Sequence, residues 1–139
     1  MDAMQTLPLR LTPGQDVRAV LEAVPALHRV GAAFVLQGIG SLRVAQLRLA
    51  GASGFTELRG DLEILTLAGS LAPDGVHLHM AVADARGRVL GGHVGPGCIV
   101  RTTAELLLAL LPEHRFARAA DARTGHAELL IGAVPDGLP

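Results

Sequence analysis

The chain has 139 residues and a formal net charge of −1 from 12 basic and 13 acidic residues; half of it is hydrophobic and 18% charged. That length suits one ordinary domain, and that composition excludes disorder as a description of the whole. Near-neutrality gives no electrostatic drive toward DNA or anionic lipid, the absence of Trp and Tyr leaves little on which to stack bases, and no apolar run approaches the ~18 residues that span a bilayer.

In chain order, Leu7–Leu11 reads as a short strand. Thr12-Pro13-Gly14-Gln15 has capping-box spacing with Pro at the first helical position, and an amphipathic helix with Val17, Val20, Leu21 and Val24 on one face should follow. Pro25 ends that helix or lies close to its end. Val30–Gln37 and Leu42–Leu49 are expected strands, separated by a turn at Gly38-Ile39-Gly40-Ser41. Leu58–Leu71 is a longer strand, and Ala72-Pro73-Asp74-Gly75 a turn. Val76–Ala83 and Arg88–Val94 form a hairpin. Thr102-Thr103-Ala104-Glu105 reads as a second capping box opening a helix at Ala104–Leu111, which stops at Pro112. Arg115–Ala119 and Ala127–Ile131 are closing strands. The sum is an α+β, sandwich-like domain with a mainly antiparallel sheet and two principal helices. It spans residues 1–139 as one domain, with a core of about 7–132 and flexible ends at 1–6 and 133–139.

Mean hydropathy is +0.40, high for a soluble chain, and points to a large core or a buried subunit interface. The single cysteine, Cys98, excludes an internal disulfide. The N-terminus lacks the basic and apolar regions of a signal peptide, so a reducing cytoplasm is the expected compartment.

The chemistry concentrates in His77-Leu78-His79 and Gly91-Gly92-His93. On a strand, His77 and His79 share one face while Leu78, Met80 and Val82 share the other. Asp84-Ala85-Arg86-Gly87-Arg88 fits a three-residue hairpin loop, a type I turn closed by a left-handed Gly87. In that register Asp84 faces Arg88 and His79 lies opposite His93, with Cβ atoms ~5 Å apart and His77 a diagonal neighbour at ~7 Å. A two-residue loop would instead turn His93 to the core. Three imidazoles on one patch suit Zn²⁺, and also Fe²⁺, Ni²⁺ or Co²⁺; three protein ligands and an open fourth position is the catalytic pattern. The plain alternative is three polar histidines on a sheet surface. A cupin-like site also uses H-x-H, but the acid expected three or four residues after the second His is missing; Asp84 is five away.

Other polar residues carry weaker signals. His28, His114 and His126 lack metal-ligand spacing and read as surface or loop residues, with an intersubunit role as the alternative. Cys98 reads as a small buried hydrophobe, with a fourth-ligand role as the alternative. Glu63, inside the apolar alternation, faces either a pocket or solvent. Arg10 either anchors a substrate anion or forms a surface salt bridge. Glycines such as Gly38 and Gly40 form no dinucleotide or phosphate fingerprint, and there is no Ser-nucleophile or CxxC motif.

Read together, four pieces resemble the plants-and-prokaryotes conserved (PPC) domain family. They are Arg10-Leu11-Thr12-Pro13-Gly14-Gln15-Asp16, then Gly40-Ser41-Leu42, then Gly60 to Ser70 with His77-Leu78-His79, and Gly91-Gly92-His93 with Thr103 and Glu105 downstream. The resemblance implies an antiparallel-sheet domain that assembles as a homotrimer, with His77, His79 and His93 placed to bind a metal near the subunit interface. Family members are often labelled DNA-binding, but in the plant proteins DNA contact comes from a separate Arg-Gly-Arg-Pro-type AT-hook, which this sequence lacks. The leading expectation is thus a homotrimer with a three-histidine divalent-metal site that binds a small-molecule ligand or supports a metal-dependent activity, with Arg10 and Glu63 as pocket residues and no membrane partner. If it is an enzyme, metal-assisted hydrolysis or lyase chemistry is the least specific expectation. A DNA-binding regulator without an AT-hook and an oligomeric interaction module with a structural metal are the alternatives.

Overall fold

The computed structural model describes residues 4–134. Its elements are β1 (Gln5–Leu11), α1 (Val17–His28), β2 (Ala33–Arg48), β3 (Thr56–Ala72), β4 (Gly75–Ala83), β5 (Val89–Val94), β6 (Ile99–Leu110), β7 (His114–Asp121) and β8 (His126–Ala133). Six strands form one antiparallel sheet in the order β1-β6-β2-β3-β4-β5. β5 also pairs with the end of β2, Leu47 opposite Val94 and Arg48 opposite His93. The sheet therefore closes on itself at that end, through β2, β3, β4 and β5. β7 and β8 form a separate hairpin.

Three expectations from the sequence are corrected. Thr12–Gln15 is a turn ahead of the helix, in which Gln15 Oε1 accepts from Thr12 N at 2.8 Å. The N-cap is Asp16, whose Oδ1 accepts from Ala19 N at 3.2 Å and whose Oδ2 accepts from Gly97 N at 2.7 Å. One carboxylate thus caps α1 and ties it to the loop before β6. Pro25 lies close to the helix end, as expected, three residues before His28. Second, Gly38–Ser41 is no turn: β2 is continuous through it. A Cβ at Gly38 would stand 2.5 Å from Leu106 Cδ2, and one at Gly40 would run into the Thr103 carbonyl. The glycines let β6 lie close against β2, and register shifts at Val35/Gln37, Gly40/Leu42 and Leu42/Val44 bend the strand there.

Third, the helix expected at Ala104–Leu111 is the second half of β6, so among the described residues there is one helix, not two, and the fold is predominantly β. A short apolar run does not distinguish a helix from a strand buried on both flanks. Here non-local partners decide: Leu106 pairs with Leu9 on β1 and with Gly38 on β2. The supposed cap residues serve the ladder instead. Thr102 N donates to Ser41 Oγ at 3.1 Å and Thr103 Oγ1 to the Leu11 carbonyl at 3.2 Å.

The core is continuous from α1 (Val17, Leu21, Val24) through β2 (Val35, Leu42, Leu47), β3 (Leu62, Leu67, Leu71) and β4 (Leu78, Met80, Val82). The β7–β8 hairpin docks through Phe116, which packs on Ala32 and Ala72 and whose N donates to the Gly31 carbonyl at 2.8 Å. Arg118 N donates to Asp74 Oδ2 at 3.1 Å, fastening the hairpin to the β3–β4 turn. Strand pairing includes Gln5, Thr6 and Ala133. Residues 1–3 and 135–139 of the expected flexible ends lie outside the described residues. No helix among them is long and apolar enough to cross a membrane.

Candidate metal centre

The β4–β5 connection has the expected geometry. Asp84 N donates to the Arg88 carbonyl and Gly87 N to the Asp84 carbonyl, both at 2.9 Å, and Gly87 has φ +77°. Only glycine takes that left-handed conformation without a steric penalty. Asp84 Oδ1 accepts from Arg86 N and Arg88 N, so this carboxylate is committed to the turn. The resulting register sets His79 opposite His93. Val76, Leu78, Met80 and Val82 are buried, which turns His77 and His79 outward between them.

Three imidazoles converge on this face. His79 Nε2 lies 3.1 Å from His77 Nε2 and 3.2 Å from His93 Nδ1. All three ligand nitrogens fall within 4.8 Å of one another. The His79 ring stands edge-on to the other two, with interplanar angles of 85° and 90°, while His77 and His93 are near parallel at 17°. A tetrahedral metal at the usual Zn–N distance separates its ligand nitrogens by about 3.3 Å. The two distances at His79 already fit that edge, and the donor set is three nitrogens of the type Zn²⁺ and its neighbours prefer.

Electrostatics favour neutral rings at two of the three positions. Burial lowers the pKa of His77, helped by His79 and the Arg118 guanidinium and opposed by Glu128. Burial also lowers His93, followed by Arg48 and the other two histidines. A depressed histidine favours the unfolded chain as acid is added, because the unfolded chain takes up protons first. Stability of the metal-free protein should therefore be constant well above the ordinary histidine value of 6.5, fall as pH drops below it, and level off beneath the lowered values. Thermal midpoints at pH 8, 6.5 and 5 would show this, and the double variant His77→Ala, His93→Ala should flatten the curve.

The histidines stand between two hollows. The larger, about 710 Å³, is lined by Arg48, Phe55, His77, His93, Arg118 and Glu128, among others. The smaller, about 340 Å³, is lined by Phe34, Ser70, His77, His79, Arg118 and Glu128, among others. Arg10 and Glu63 line neither. Arg10 is exposed on β1 opposite Glu105, and Glu63 is exposed on β3 with Oε1 3.5 Å from Arg101 Nη2. Cys98 is fully buried, with Sγ accepting from Gln46 N at 3.3 Å, and burial raises its thiol pKa. His28 lies in the last turn of α1 and His114 begins β7, whereas His126 lines the larger hollow.

Sequence reading missed Arg48, Arg118, Glu128 and His126 as neighbours of the site. Arg48 arrives through the β2–β5 pairing and the others through the docked hairpin. Neither long-range contact leaves a local spacing to read.

Comparison with known proteins agrees with this fold. The Plants and Prokaryotes Conserved (PCC) domain matches residues 1–112, and the chain belongs to this family. It is 52% identical over 132 residues to the bifunctional protein GlmU of Synechococcus sp. (strain JA-2-3B'a(2-13)), covering 95% of this chain and 21% of that one. The chain thus spans about a fifth of that curated relative's length. A hypothetical protein from Salmonella cholerae-suis superposes with a TM-score of 0.91 at 41% identity, over 96% of each chain. A metal-containing protein from Archaeoglobus fulgidus superposes with a TM-score of 0.75 at 26% identity, over 91% of this chain and 93% of its own. A Bacteroides thetaiotaomicron protein, provisionally described as DNA-binding, shares the fold at 18% identity and a TM-score of 0.76, over 93% of this chain and 96% of its own.

Proposed function

We propose that this is a cytoplasmic, trimeric PPC-domain protein, folded as one domain, that binds a divalent metal through His77, His79 and His93. Zinc is the first candidate, ahead of iron, nickel and cobalt. The observation that carries the reading is the convergence of the three imidazole nitrogens around His79 Nε2. Similarity to an archaeal protein described as metal-containing supports it. With three protein ligands, one tetrahedral position stays free for water or a small ligand, which suits metal-assisted chemistry as well as binding. The fold itself selects no reaction.

Elemental analysis of tag-free protein tests the metal. The expected result is about one metal ion per chain in the parent and none in the triple variant His77→Ala, His79→Ala, His93→Ala. An empty parent after loading with Zn²⁺ or Fe²⁺ would overturn the reading.

Assembly draws support from the outer sheet face, where Phe34, Leu36, Ile39, Leu65 and Leu107 are between 37% and 50% exposed. Apolar side chains gathered in this way mark an interaction surface. Phe34 pairs across Ser70 to His77, so that face runs up to the histidines. Arg10 and Glu63, exposed and away from the hollows, fit a surface role better than the pocket role. Against a DNA-binding role stands the net charge of −1. A salt-sensitive shift of duplex DNA would reinstate it.

A further inference from the structure

The larger hollow contains two arginines, Arg48 and Arg118, that form no ion pair among the described residues. Arg48 sits directly opposite His93 in the β2–β5 pairing, so the two side chains share a face. Its Nη1 donates to the Ala52 carbonyl at 3.3 Å. Arg118 lines both hollows beside His77. Its Nη2 donates to the Ala127 carbonyl at 3.0 Å, while its Nη1 is buried and has no hydrogen-bond partner among the described residues. Among the described residues neither guanidinium is in an ion pair, unlike Arg18, Arg59, Arg88, Arg101 and Arg123. The third arginine of the hollow, Arg18, is occupied by Glu22 and the Val94 carbonyl. The hollow's carboxylate, Glu128, accepts from Thr124 Oγ1 at 3.0 Å and bonds neither arginine.

A buried guanidinium N–H with no acceptor is costly, and a charge-assisted bond to an oxyanion relieves that cost. The guanidinium fork matches carboxylate and phosphate oxygens. The two arginines flank the histidine patch, Arg48 on the His93 side and Arg118 on the His77 side, and Phe55 adds an apolar wall.

We infer that Arg48 and Arg118 form an oxyanion subsite beside the three histidines, and that the small molecule this protein takes carries a phosphate or carboxylate group. The subsite stands on the arginines alone; that the same molecule also meets a metal rests on the metal reading proposed above. Metal and anion would then hold two ends of one ligand, which fixes its orientation in a way neither does alone.

The test titrates inorganic phosphate, and separately malonate, into the full chain by calorimetry, once stripped of metal and once loaded with zinc. The stripped parent is expected to bind at least one of the two probes, and the tighter one identifies the anion class. Arg118→Gln and Arg48→Gln should each weaken it about tenfold or more, with circular dichroism confirming that both variants fold. The triple histidine variant should keep anion binding while losing metal. That arm separates the two ideas: a parent that takes up no metal yet binds the anion counts against the metal alone. No binding of either probe by the parent overturns the subsite. So does binding that requires zinc and is unchanged in both arginine variants, since the metal alone would then hold the anion.

Discussion

Replacing His79 with alanine should abolish metal binding outright, while His77→Ala and His93→Ala leave a weakened two-histidine site. His79 Nε2 is the shared vertex of the cluster, within 3.2 Å of a nitrogen on each of the other two rings. Removing it leaves His77 and His93 with near-parallel rings whose centroids are 5.4 Å apart. Removing either of the others leaves one perpendicular pair intact. Changing a residue that only supports a ligand costs 10- to 100-fold in metal affinity, so losing the central ligand should cost more than about 100-fold. Competition against a chromophoric zinc chelator would rank the three variants. Equal losses for all three would mean that His79 holds no central position.

The second large effect concerns stability. Leu78→Ala should destabilise the protein by about 2–5 kcal/mol, the usual range for a buried Leu truncated to Ala. Leu78 is 1% exposed and lies between the two histidines of β4, its side chain in the core opposite theirs. The cavity would form directly beneath the site, so metal affinity should fall along with stability. Truncating Leu21, equally buried but on α1, should cost comparable stability and spare metal binding. Urea denaturation with parallel zinc titration distinguishes the two variants.

The β4–β5 hairpin was legible because its determinants are local. Alternation placed two histidines on one side, and Asp84 and Gly87 fixed the loop and hence the partner of His79. The fate of Ala104–Leu111 was not legible. Its eight residues alone suit a helix, and only Leu9 and Gly38, each more than 60 positions away, make it a strand. Gly38 and Gly40 misled for a related reason. Glycine marks either a turn or a place where another backbone comes close, and the difference lies in what β6 does. The two arginines of the hollow were invisible for the same reason: Arg48 is 45 positions from His93, and Arg118 reaches the site on a hairpin docked from elsewhere.

The closed end of the sheet bears on how a metal ion would arrive. Outer strands fray, and a centre built on one would lose its geometry at every opening. His93 is on no such strand, because β5 is held by β4 on one side and by the last residues of β2 on the other. Its backbone is therefore held from both sides. Loading becomes an encounter with a standing site rather than a folding event, and stripping the ion should leave the backbone as it was. If the three histidines hold a metal, one ion would be exchanged for another, following supply, without passage through an unfolded state.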